Sequence, residues 1–89
     1  MGNYLNLPRN YSFIHRLPFE FEMVVRKKGN ATNDGTWYLI QIEEHELNIL
    51  SQAELTPGTI YRIQKRSNLV LEIITEQKPQ KNSQDGFYA

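Results

Sequence analysis

The chain has 89 residues, ten basic and ten acidic, no cysteine, and a formal net charge of zero. That length allows one small domain without a deep active-site cleft, and the balanced charge supplies no global field to gather nucleic acid or anionic lipid. The lack of cysteine removes disulfides, thiolate chemistry and thiolate metal sites, leaving stability to the apolar core.

Residues 1–18 mix Asn, Pro and Arg with Tyr4, Leu5, Leu7, Tyr11, Phe13, Ile14 and Leu17, too apolar for a flexible tail, so they are expected to form a partly ordered arm packed on the rest. From Pro18 the pattern alternates: Phe19, Phe21, Met23 and Val25 share one side and Glu20, Glu22 and Arg26 the other, as in a half-buried strand. Residues 27–35, rich in Lys, Gly and Asn, read as a long mobile connection. A second strand over 36–42 is aromatic and β-branched. Glu43-Glu44-His45-Glu46 turns the chain into a short third strand over 47–50. Ser51 followed by Glu54 has capping-box spacing, which predicts one helical turn over 51–55, stopped by Thr56-Pro57-Gly58. A fourth strand over 59–65 and a fifth over 69–75 are joined by Arg66-Ser67-Asn68, a tight hairpin. The tail, 77–89, is polar and expected to be disordered.

The expected fold is therefore all-β: a β domain over 19–76 forming a small five-stranded antiparallel barrel or meander, OB-like, with one short helical turn after the third strand. Its interior side collects Phe19, Phe21, Met23, Val25, Tyr38, Ile40, Ile42, Leu47, Ile49, Tyr61, Ile63, Leu69, Leu71 and Ile73. The other side carries Val24, Trp37, Leu39, Ile60, Val70 and Ile74, an apolar scatter that something should cover. Two covers are open. The arm's Tyr4, Tyr11, Phe13 and Ile14 pack across Trp37 and Leu39, or the face docks a protein partner or a second copy of this chain, with Trp37 as anchor.

The cations suggest an alternative. Arg26, Lys27 and Lys28 at one strand end and Arg62, Lys65 and Arg66 at another, with Tyr61 as a stacking ring, compose a single-stranded nucleic-acid surface if the barrel brings them together. Against it, residues 29–58 carry Asp34, Glu43, Glu44, Glu46 and Glu54 and no Lys or Arg.

Catalytic chemistry is not expected. Glu43-Glu44-His45-Glu46 has metal-ligand residue types, but consecutive side chains project in different directions and read as a solvated turn. His15 has no carboxylate near it in sequence. None of Ser12, Ser51, Ser67 and Ser83 lies in a nucleophile elbow, and no glycine-rich phosphate loop occurs. No metal or cofactor is expected. No run reaches the ~20 apolar residues of a spanning helix. The first residues resemble neither a signal peptide nor, with Asn6 where Ser or Thr is required, a myristoylation site. The expected setting is cytoplasmic, away from membranes.

Gly35-Thr-Trp-Tyr-Leu-Ile-Gln-Ile42, the Leu55-Thr-Pro-Gly-Thr-Ile-Tyr-Arg-Ile63 segment and Leu69-Val-Leu-Glu-Ile-Ile74 together resemble short β-modules of bacterial flagellar hook-length control proteins. In those modules a strand pair is followed by a Leu-x-Pro-Gly turn and another hairpin. The resemblance implies a non-enzymatic part of a flagellar or secretion assembly and assigns no site residue. The long Gln- and Ser-rich regions of such secreted rulers are lacking here.

Overall fold

The computed structural model describes residues 3–77. Their elements are β1 (Tyr4–Asn6), α1 (Ser12–Arg16), β2 (Glu20–Thr32), β3 (Gly35–Ile42), β4 (His45–Ser51), β5 (Ile60–Lys65) and β6 (Val70–Gln77). The strands close into a barrel in the order β1-β4-β3-β2-β5-β6, with every pairing antiparallel. Strands β2, β3 and β4 are joined by two tight hairpins, and residues 52–59 carry β5 back beside β2. The spatial order β5-β2-β3-β4 is a Greek key.

The barrel has six strands where the sequence predicts five, and the sixth comes from the arm. In β1, Leu5 is fully buried and pairs with Ser51 of β4 and Leu71 of β6, bridging the two strands that would otherwise be the sheet's edges. Three residues are too few to display a period of two, so β1 is invisible to pattern reading. The arm is thus part of the barrel wall and does not lie over Trp37 and Leu39.

After β1 the arm folds over one barrel end. Ile14 of α1 is fully buried, Leu17 is buried, and Phe13 stacks on His45 at the start of β4, with ring centroids 3.9 Å apart and planes 10° from parallel. Lys65, at the end of β5, donates its Nζ to the Ile14 and Leu17 carbonyls at 3.1 and 2.7 Å, adding a charged donor to the Ile14 oxygen that already accepts from the Leu17 N–H and tying the end of the short helix to the barrel. The other end is closed by the 52–59 connection. There the Leu55 N–H donates to the Tyr38 hydroxyl at 2.9 Å and the Thr56 N–H to the Tyr61 hydroxyl at 3.0 Å. Between these covers the interior is filled by one contiguous apolar cluster. Among the described residues no helix is long and apolar enough to cross a membrane.

Four local expectations are corrected. The helical turn belongs to Ser12–Arg16 and not to residues 51–55. Ser51 ends β4, and its Oγ accepts from the Ala53 N–H at 3.1 Å and donates to the Ala53 carbonyl at 2.6 Å; this local bend replaces the capping box. The connection expected over 27–35 is mostly strand: β2 continues to Thr32 and turns at Asn33-Asp34 into Gly35. Thr32 Oγ1 fastens that turn, accepting from the Asp34 N–H and donating to the Gly35 carbonyl. Phe19 and Leu69, expected inside, are 60% and 44% exposed. Each precedes its strand at the barrel end that Ile14 and Leu17 already fill, so no interior space is left for them. Ile73 is half-buried beside the core, where the β5–β6 register shifts. The expectation for 77–89 lies outside the described residues except at Gln77, which ends β6.

Candidate docking face

Because the interior is filled and both ends are covered, any recognition surface lies on the outside of the wall. Side chains alternate across the sheet, so cross-strand register decides which ones share that side. On the β2–β3–β4 meander, three outward rows follow. Val24 of β2 faces Gln41 of β3 and then Glu46 of β4; Lys27 faces Leu39 and then Asn48; Trp37 faces Leu50. Val24, Leu39, Trp37 and Leu50 are half-buried, while Arg26 and Lys27 are exposed.

A β-bulge creates this combination. Val25 points inward opposite Ile40, so strict alternation would also turn Lys27 inward. The register shift between Val25 and Lys27 inserts Arg26 as an extra residue and places Lys27 outward, beside Leu39. The second shift, between Lys28 and Ala31, falls at Gly29, where a Cβ would stand 3.1 Å from the Trp37 carbonyl oxygen and 3.6 Å from its Cβ. Glycine there lets the two backbones close up and leaves Trp37 without a flanking side chain. Next to the rows lies a surface groove of about 420 Å³, lined by Phe21, Glu22, Val24, Arg26, Gln41 and Glu43. Gln41 is held at its rim by a 2.9 Å bond from Nε2 to the Glu43 carbonyl.

Four of the six residues expected to bind a partner are gathered here: Trp37, Leu39 and Val24 on the face, and Ile60 at its margin, paired with Val24. The other two are not. Val70 is reached from Trp37 only across Leu50 and Asn6, three strands around the barrel, and Ile74 sits at the β6 bulge. Closure of the sheet, which strand patterns do not encode, separates them. Leu50, outside the expected partner-binding set, also belongs to the face; its parity against Leu47 and Ile49 points it outward.

The nucleic-acid set does not assemble. Tyr61 is buried, with its hydroxyl bound to the Thr56 N–H, so its ring cannot stack on a base. Lys65 is committed to the Ile14 and Leu17 carbonyls. Arg62 pairs with Glu20 at 3.5 Å and Arg66 with Glu72 at 3.3 Å. Because β5 runs antiparallel to β2, Gln64 pairs with Glu20, and the Lys65–Arg66 corner lies about 20 Å along β2 from Arg26. Of the cations in the set, Arg26 and Lys27 are the two that have neither a carboxylate partner nor a side-chain hydrogen bond to a backbone carbonyl among the described residues, and both flank the apolar rows.

At the acidic turn, His45 Nε2 stands 3.7 Å from Glu44 Oε2 while its ring lies on Phe13. Among the described residues no group of three or more His, Cys, Asp or Glu is placed to hold a metal ion. His15 Nε2 is 3.3 Å from Asn10 Oδ1. Comparison of the chain with protein-family models, with curated proteins and with solved structures finds no match.

Proposed function

We propose that this protein is a non-enzymatic β module that docks a protein partner on the outer face of β2, β3 and β4. The observation that carries the reading is the contiguity of Val24, Leu39, Trp37 and Leu50 with the uncommitted cations Arg26 and Lys27, beside a groove of about 420 Å³. Trp and Arg are the residue types over-represented where interfaces concentrate their binding energy. The partner chemistry this face fits is an apolar side chain flanked by carboxylates. Glu22, Glu43 and Glu46 around the groove disfavour a polyanionic nucleic-acid backbone. The Greek-key order β5-β2-β3-β4 supports reading the barrel as OB-like. A flagellar or secretion assembly in the bacterial cytoplasm is the setting suggested by the resemblance of residues 35–75.

Selection of displayed random peptides on the immobilised protein tests the reading. Ligands joining an aromatic or aliphatic residue to Asp or Glu are expected. Trp37→Ala and Arg26→Glu should each weaken them about tenfold or more, equivalent to about 1.4 kcal/mol, while Ile74→Ala leaves them unchanged. Ligands that survive both face substitutions, or a selection that yields none, would overturn it.

A further inference from the structure

Beyond the barrel, β2 has one side against which none of the described strands lies. Its β5 side is paired from Glu20 to Val24, and Val25 adds two backbone bonds, donating to the Thr59 carbonyl at 3.1 Å and accepting from the Gly58 N–H at 2.7 Å. From residue 26 to Thr32 its strand pairing, among the described residues, is with β3 alone. Among the described residues no strand pairs with its other side, and all seven residues are exposed. A strand edge of this kind presents alternate N–H and C=O groups to any extended chain of suitable sequence. We propose that this overhanging edge takes up an acidic extended segment of a partner protein as an added β-strand; the inference rests on the protein-docking function proposed above and names a second, backbone-mediated part of it.

Charge selects the occupant. Arg26, Lys27 and Lys28 stand in succession at the root of the edge. Lys28 Nζ already holds a carboxylate there, Glu54 Oε2 at 3.2 Å, delivered by the 52–59 connection that passes this side of β2. Both side chains of that pair are well exposed, so the contact is exchangeable and another carboxylate can replace it. Arg26 and Lys27 have no carboxylate partner among the described residues. The same three cations oppose pairing with the like-charged edge of a second copy. Seven residues of strand give roughly 23 Å of edge, enough for a short peptide.

The test uses the full chain and a synthetic peptide alternating Glu with Val and Thr, with a Lys-for-Glu peptide as control. Binding is followed by fluorescence anisotropy at low salt and amide exchange by nuclear magnetic resonance. The acidic peptide should bind saturably and slow exchange at residues 26–32. Lys28→Glu, a substitution outside the docking face, should weaken it at least tenfold, and raising the salt concentration should do the same to the unaltered protein. Equal binding of the basic control overturns the proposal. Slowed exchange confined to the Trp37 and Leu39 rows overturns it while leaving the docking face standing. A concentration-dependent dimer that protects 26–32 by itself makes a second copy the occupant, and tighter protection of the same amides by oligothymidylate makes it a nucleic acid; either result refutes an acidic segment.

Discussion

Replacing Leu5 by Ala tests whether β1 is a structural strand of the barrel. Leu5 is fully buried, flanked by Ser51 on β4 and Leu71 on β6, and truncating a buried Leu costs about 2–5 kcal/mol through lost transfer energy and the cavity left behind. Some 75 residues of folded chain at about 0.05–0.15 kcal/mol each hold only about 4–11 kcal/mol in total, so this one change should remove a large share of it. The matched control is Tyr4→Ala, one residue away in the same strand but 40% exposed, for which about 1 kcal/mol or less is expected. Urea denaturation followed by the fluorescence of Trp37, the single tryptophan, measures both. Equal small shifts for Leu5→Ala and Tyr4→Ala would refute the claim that the arm completes the wall.

Gly35→Ala should destabilise by about 2 kcal/mol or more: φ is +143°, and a Cβ would collide with the Ser51 carbonyl oxygen, against backbone that cannot swing away. Thermal unfolding of this variant within a degree or two of the parent would contradict that geometry. Lys65→Met removes both charged bonds to the Ile14 and Leu17 carbonyls, and at a half-exposed site the expected loss is about 1–3 kcal/mol. Amide exchange at Leu17, whose N–H donates to Ile14, should accelerate more than exchange in the strands. An unchanged rate there would show that Lys65 does not hold α1.

What the sequence makes legible follows the range of the forces involved. Alternation in Phe21-Met23-Val25 and Tyr38-Ile40-Ile42 is a local signal, and those residues are interior as expected. The Arg66-Ser67-Asn68 hairpin is likewise local, fastened by Ser67 Oγ accepting from the Leu69 and Val70 N–H groups. Ser51 shows where local reading fails: its capping-box spacing is real, but pairing with Leu5 and Thr36 holds the backbone extended. The candidate face was half legible. Trp37, Leu39 and Val24 were identifiable as outward apolar residues, while the gathering of Arg26 and Lys27 beside them depends on a bulge that no periodicity announces. Tyr61 was the opposite case, an aromatic neighbour of cations in sequence whose ring the closed sheet turns inward.

The pairing of Tyr4 with Glu72 spans almost the whole described chain, so closing it carries one of the largest loop-closure costs in the fold. Contacts so distant along the chain slow the search for the native state. Until it is made, a chain that has already assembled β2 to β6 leaves β4 and β6 with unsatisfied rims, the kind of intermediate that sticks to its own kind. Three residues of β1 thus act as a latch across those rims, and a variant that weakens them should reveal itself first as poor recovery after refolding at high concentration.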